Sequence, residues 1–165
     1  MFNSFYNYLI KHDLLSHNQS GFKPGDSCTN QLLSITHLIS SSLDHIKSYE
    51  ERGVFLDMSK AFDRVWLEGL IYKLRTLGVS GKLLLLLQSF LSDRKQRVVL
   101  NGQYSDWLNI KASVPQGSIL GPFLFLVYVN DLPKNLKSDV KLFADGVSLF
   151  SVVEDPIVSA NDLNH

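Results

Sequence analysis

Residues 140–150 read Val140-Lys141-Leu142-Phe143-Ala144-Asp145-Gly146-Val147-Ser148-Leu149-Phe150. Two short apolar runs flank Asp145-Gly146, the residue pair that a type I′ turn prefers, so the stretch reads as a β-hairpin with that pair at its tip. The upstream chain supplies elements to pair with it. Val54-Phe55-Leu56 reads as a short buried strand ending at Asp57. Arg94–Leu100 and Tyr104–Ile110 flank Asn101-Gly102, a second hairpin signal. Helical spacing covers most of the rest. Phe2, Phe5, Tyr6, Leu9 and Ile10 mark a helix over 2–15. A Gly-, Ser- and Pro-rich loop at 16–27 leads into a long helix striped by Leu32, Ile35, Ile39, Leu43 and Ile46, with Ser27 or Thr29 placed to cap it. Trp66–Leu77 is helical with Gly78 as its stop. Lys82–Leu91 follows Ser80, and its five leucines, Leu83 to Leu87, predict burial on several sides. Gly117–Val129 is an apolar helix. Helices mixed with two hairpins give an α+β class, an antiparallel sheet backed by helices.

Length and charge narrow the function. The 165 residues suit one domain, and 45% hydrophobic against 19% charged residues excludes a wholly disordered chain. Sixteen basic residues balance sixteen acidic ones, so nucleic acid cannot be held by bulk positive charge, only by local basic patches in a shaped cleft. The single cysteine, Cys28, excludes an intramolecular disulfide framework and a Cys-rich zinc site, and fits a reducing compartment. The longest strongly apolar stretch, Phe123 to Val129, is far short of the roughly 18 residues a membrane span needs, so no membrane partner is expected. The N-terminus lacks the basic start and small-residue cleavage site of a signal peptide.

Four places are candidates for chemistry. Asp57 closes an apolar strand, where a carboxylate is costly unless paired or bound to metal. It is either a metal ligand or, with Ser59, a cap for a following helix. Val114-Pro115-Gln116-Gly117-Ser118 can bring backbone amides close to a nucleotide or template. It can equally be a loop leading into a helix, with Ser118 as cap. Asp145 is either a carboxylate at a hairpin tip facing Asp57 or simply a turn residue. Arg94, Lys95 and Arg97, with Lys111 nearby, make either a phosphate-contacting strand or a solvated face.

Together the segments Asn18 to Gly25 (NQSGFKPG), Phe55 to Trp66 (FLDMSKAFDRVW), Arg94 to Asn101 (RKQRVVLN), Val114 to Pro122 (VPQGSILGP), Tyr128 to Leu132 (YVNDL) and Leu142 to Phe150 (LFADGVSLF) resemble the reverse transcriptase domain of LINE-type, non-LTR, jockey-like retrotransposons. The resemblance spans nearly the whole chain. It implies a partial polymerase palm with part of the fingers, about 1–52 being fingers-side helices and 53–165 the palm. It implies RNA-directed DNA synthesis with two magnesium ions, on an RNA template and a DNA primer, from deoxynucleoside triphosphates. Hard cations take oxygen ligands, and the family builds the site from aspartates. Carried over residue by residue, Asp57 and Asp145 are the catalytic, metal-binding carboxylates, and the Met58 carbonyl helps hold a metal. Phe62 abuts the nucleotide sugar, and Gln116 and Gly117 line the nascent base pair and template. Asp63 and Asn130-Asp131 fit the motifs but are read as structural. The family's association with chromosomal insertion implies nuclear access.

The pattern departs from the family where the hairpin should carry two adjacent aspartates. Here Gly146 follows Asp145, leaving two carboxylates where three are expected, which weakens magnesium binding and predicts a catalytically silent palm. Ser113 and Leu67 are milder departures, from Gly and His. Against the family pattern the chain is expected to begin after basic fingers residues, to end before a later palm lysine and the thumb, and to lack the endonuclease. Apolar surface meant for those parts is then expected to be exposed. The alternative expectation is a non-enzymatic nucleic-acid-binding or interaction module that keeps the palm as a scaffold.

Overall fold

A three-stranded antiparallel sheet is the frame on which the acidic residues sit. The computed structural model describes residues 2–44 and 50–153. Strand β1 is Glu50–Asp57, β6 is Asp139–Phe143 and β7 is Gly146–Val153. The central strand β7 pairs Val54 with Leu149 and Asp57 with Gly146 on one side, and Val140 with Leu149 and Phe143 with Gly146 on the other. Direct partners share a face of an antiparallel sheet. One face therefore carries Val140, Leu142, Val147 and Leu149, which form a buried cluster, with Val54, Met58 and Leu136 packed against it. The opposite face carries Asp57, Gly146 and Phe143, then Phe55, Ser148 and Lys141.

Two compact units interleave along the chain. One consists of Leu15–Ser59 with Val129–His165 and holds this sheet together with helix α2, Cys28–Leu43. Ser27 caps α2, its hydroxyl accepting the Asn30 N–H at 3.2 Å, as one of the two predicted caps. The stripe of α2 is not buried as its spacing suggests: Leu32, Ile39 and Leu43 are exposed, and Ile46 lies outside the described residues. The helix packs on β1 and β6 through its other side, where Gln31 is buried. Likewise β1 is longer than predicted and is not a buried strand, Phe55 being 70% exposed and Leu56 50%. Among the described residues it is an edge strand, paired with β7 alone. The Phe55 ring sits edge-on to Phe150 with centroids 5.8 Å apart.

The other unit consists of Met1–Leu14 with Lys60–Tyr128. It holds helices α1 (Phe2–Lys11), α3 (Leu67–Thr76), α4 (Gly81–Leu91) and most of α5 (Leu120–Val129). Helix α5 is apolar all round, and Phe123 to Val127 are all buried. Phe5 of α1 meets Phe123 edge-on at 5.0 Å. Helix α3 ends as predicted, with Gly78 at φ +85° just beyond its cap. Helix α4 differs from expectation. Only Leu87 and Leu91, one turn apart, are fully buried, while Leu85 is 66% exposed and Leu86 is exposed too. α4 packs against α3 alone among the described elements with substantial contact, so one face of the leucine run meets protein. Among the described residues no helix is long and apolar enough to cross a membrane.

The second predicted hairpin is present but broken. Asn101 and Gly102 form its tip with φ of +50° and +77°, the double left-handed pattern of a type I′ turn. Strand β3 (Val99–Leu100) pairs with β4 (Gln103–Tyr104), and β2 (Lys95–Gln96) with β5 (Leu108–Asn109). Between the two ladders the Ser105 hydroxyl accepts the Val98 N–H and the Ser105 N–H donates to the Val98 carbonyl, and the register shifts by one residue, 97–98 standing opposite 105–107.

Candidate functional site

Strand β1 delivers Asp57 to the end of the sheet, opposite Gly146, and Asp145 is the residue before Gly146. With a cross-strand spacing of about 5 Å and successive Cα atoms about 3.8 Å apart, the backbones at 57 and 145 lie within about 9 Å. The turn itself is set one residue earlier than predicted. Phe143 pairs with Gly146, so the two-residue loop is Ala144-Asp145. Ala144 has φ +55° and Asp145, the second turn residue, stays out of the left-handed region, which matches a type II′ and not a type I′ turn.

The reason lies in a distant segment. Residues 18–20 run beside β6. Leu142 N–H donates to the Asn18 carbonyl at 2.7 Å, and Ser20 N–H to the Leu142 carbonyl at 2.9 Å. The Asn18 side chain donates to the Val140 carbonyl at 2.7 Å. Gln19 is 5% exposed, and its side-chain amide grips Ala144 at both ends: Nε2 donates to the Ala144 carbonyl (3.1 Å) and Oε1 accepts the Ala144 N–H (3.0 Å). Local Asp-Gly preference is thereby overruled by contacts 125 residues away. Sequence reasoning missed Gln19 as a functional candidate; its place in the Asn18–Gly25 motif was the one signal.

Asp57 is exposed and Asp145 half-buried, and among the described residues neither carboxylate accepts a hydrogen bond. Asp57 caps no helix: the short 3₁₀ turn Phe62–Arg64 starts without a side-chain cap, and α3 is preceded by Trp66. Two uncommitted carboxylates at one sheet end form an oxygen-only donor set, which fits a hard divalent cation completing its shell with water or phosphate oxygens. Among the described residues no three His, Cys, Asp or Glu side chains converge.

Within the other unit, Phe62, Gln116 and Gly117 share one neighbourhood. Val114 N–H donates to the Phe62 carbonyl (3.0 Å), and Ser113 N–H to the Val65 carbonyl (3.0 Å), tying the loop to the 3₁₀ turn. The Phe62 ring stacks on Phe125 with centroids 4.8 Å apart. Gln116 donates to Asp63 at 3.3 Å, so Asp63 acts within this loop as a structural acceptor. Gly117, at φ +78°, has open space where a side chain would stand. Helix α5 starts later than predicted, at Leu120, with the Ser118 hydroxyl accepting Gly121 N–H at 2.9 Å as an N-cap would. In the sheet-bearing unit, the Asn130 side chain accepts Ser16 N–H at 2.7 Å.

The basic trio divides. Arg94 is half-buried and donates to the Leu91 carbonyl at 3.1 Å and to the Ser113 carbonyl; burial pushes its pKa below the ordinary value. Lys95 and Arg97 are exposed on the hairpin. The Arg97 guanidinium lies 4.2 Å from the Tyr104 ring centroid and 4.5 Å from that of Trp107, both exposed. These two aromatics were not among the sequence candidates.

Residues 3–161 match the sequence model of the family described as reverse transcriptase (RNA-dependent DNA polymerase). The chain is 41% identical over 120 residues to the probable RNA-directed DNA polymerase from transposon BS of Drosophila melanogaster, which covers 73% of this chain and 13% of that protein. It is 36% identical over 140 residues to the RNA-directed DNA polymerase from mobile element jockey of Drosophila funebris, covering 84% of this chain and 15% of that protein. The chain thus spans about one seventh of the relatives it matches.

Proposed function

From a chain that belongs to the reverse transcriptase family, in its LINE-type, non-LTR branch, we propose the metal-holding core of an RNA-directed DNA polymerase that Gly146 leaves catalytically silent. The observation that carries this reading is the register: Asp57 faces Gly146, one residue from Asp145. Asp57 and Asp145, with the main-chain carbonyl of Met58, would hold the divalent cations, magnesium by resemblance. When bound, such cations acidify a primer 3′-hydroxyl and neutralise the leaving group of a nucleoside triphosphate. The protein's part is to fix two carboxylates on a sheet whose far face is buried, so that little rearrangement is needed on binding. Phe62, Gln116 and Gly117 are assigned to the nucleotide and template, and RNA template, DNA primer and deoxynucleoside triphosphates are the partners proposed. The division into fingers-side helices over 1–52 and palm over 53–165 belongs to the same proposal.

The silence follows from the ligand count. A Gly at 146 removes one carboxylate from the face that Asp57 occupies, leaving the cation charge less compensated and the reacting groups less well placed. Loss of such a group typically lowers rate by orders of magnitude. The test is primer extension on an RNA template with magnesium, comparing the chain with its Gly146→Asp variant. No extension by the parent and measurable extension by the variant is expected. Robust synthesis by the parent would overturn the silent reading.

A second reading, a nucleic-acid-binding module that keeps the palm as scaffold, is favoured by one feature: the exposed Arg97, Tyr104 and Trp107 group. It requires salt-dependent RNA or DNA binding without magnesium, and it fails if none appears at low salt.

A further inference from the structure

Gln19 is one of two buried polar side chains among the described residues. Its amide makes three hydrogen bonds. Oε1 accepts from Gly21 N–H (2.8 Å) and from Ala144 N–H (3.0 Å), and Nε2 donates to the Ala144 carbonyl (3.1 Å). A donor and an acceptor offered side by side satisfy both backbone groups of Ala144, and an amide side chain keeps both at any pH. The backbone of Gln19 itself bridges to Leu142 in parallel register. The approach is close: a Cβ on Gly21 would stand 2.0 Å from the Ala144 nitrogen.

What this grip holds is unusual. Ala144 sits at φ +55°, a conformation that a residue with a Cβ adopts only when its surroundings impose it. The local sequence favours a different turn, with Asp145-Gly146 at its centre. The turn chosen decides where residue 145 leaves the hairpin, and with it the direction of the Asp145 carboxylate relative to Asp57. We infer that Gln19 is a positioning residue for the divalent-cation centre, holding the Ala144-Asp145 turn in the one conformation that sets Asp145 with Asp57. This rests on the reading of those two carboxylates as cation ligands.

The test titrates Mn²⁺ into the full chain, following the free aqua ion by electron paramagnetic resonance, alongside urea unfolding of each variant. Asp57→Asn tests the centre. Gln19→Leu tests the positioning. Asn18→Ala is the structural control, because it removes a neighbouring side-chain bond to β6 at Val140 without touching the turn. Supporting residues around metal ligands typically change affinity 10–100-fold. Gln19→Leu is expected to weaken Mn²⁺ binding about tenfold, with Asn18→Ala close to the parent although both lower the urea midpoint. Amide exchange at Ala144 is expected to accelerate in Gln19→Leu alone. If Gln19→Leu does not fold, Gln19→Glu keeps the two accepted bonds, loses the donated one, and is read the same way. Parallel losses in Gln19→Leu and Asn18→Ala, or parent-like binding by Gln19→Leu, overturn the positioning role while leaving the centre intact. A parent that takes no Mn²⁺, or an Asp57→Asn variant that binds as the parent does, sinks the centre and this role with it.

Discussion

Asp57 and Gly146 are direct partners across β1 and β7. Gly146 keeps φ outside the left-handed region, so no turn geometry demands a glycine there. A Cβ at 146 would meet the Phe143 carbonyl oxygen at 3.3 Å, a contact relieved by a few tenths of an ångström. An aspartate at 146 would face the same side as Asp57. Without a cation, like charges directly opposite destabilise by roughly 0.2–1 kcal/mol. With one, they share it. Gly146→Asp is therefore expected to melt about 1–3 °C below the parent in chelator and above it in magnesium. Thermal melts under both conditions check this, and a shift of the same sign in each would contradict it.

The contact between Gly21 and the hairpin predicts an order of glycine sensitivities. At Gly21 a Cβ would lie 2.0 Å from the Ala144 nitrogen, 2.7 Å from its Cα and 2.9 Å from the Phe143 carbonyl carbon, all backbone atoms that cannot rotate away. Gly25 has φ +85° but open space around it. Overpacking costs typically 1–3 kcal/mol, and a backbone clash falls at the top of that range, so Gly21→Ala should lose about 3 kcal/mol. Gly25→Ala should lose only about 1 kcal/mol from left-handed strain. Urea unfolding ranks the two, and Gly25→Ala proving the worse would contradict the tight seating of residue 21.

What was legible in the sequence was whatever local chemistry decides. Asn101-Gly102 is a turn because both residues tolerate positive φ, and the structure uses them so. The end of β1 at Asp57 was visible because an acid closes an apolar run. The tip of the other hairpin was misplaced by one residue because Gln19, far away in sequence, outweighs the Asp-Gly preference. The exposed sides of α2 and α4 could not be read at all: periodicity tells which residues are apolar, not whether another element arrives to cover them. Tyr104 and Trp107 were missed for the same reason, since their meeting with Arg97 depends on the register shift between two short ladders.

Asp26 predicts an acid dependence. Partial burial pushes its carboxyl up, but the Ser27 N–H (2.8 Å), hydrogen bonds from Ser20 and Asn30 and the charge of Lys23 outweigh that and hold it below the ordinary value. A carboxyl whose pKa is lower folded than unfolded adds stability above the unfolded value, about 3.9. That contribution is lost as pH falls through the folded value. The unfolding free energy of the parent should exceed that of Asp26→Asn at pH 7 and at pH 5, and the gap should narrow below about pH 4. Urea titrations at several pH values measure it, and a gap that stays constant to low pH would remove Asp26 from the account.

The hairpin carrying Arg97, Tyr104 and Trp107 makes two kinds of attraction separable. Residues 95–109 are exposed throughout, and Lys95 and Arg97 stand on them in a chain with no net charge, so a polyanion has a local reason to choose this ribbon. Bases stacking on aromatic side chains contribute about 1–3 kcal/mol each, largely independent of salt. Phosphate contacts release counterions instead, lowering the log–log salt slope by about 0.7 per contact on a single strand. Trp107→Ala is therefore expected to weaken single-stranded RNA binding by about 1–3 kcal/mol with the slope kept. Lys95→Ala should change affinity less and reduce the slope by about 0.7. Arg97, which lies against both rings, should show both effects when changed to Ala. Fluorescence anisotropy over a series of salt concentrations resolves them. Equal, slope-only changes in all three variants would make the ribbon a plain basic patch, and no change in any would leave the rings as cross-strand packing within the hairpin.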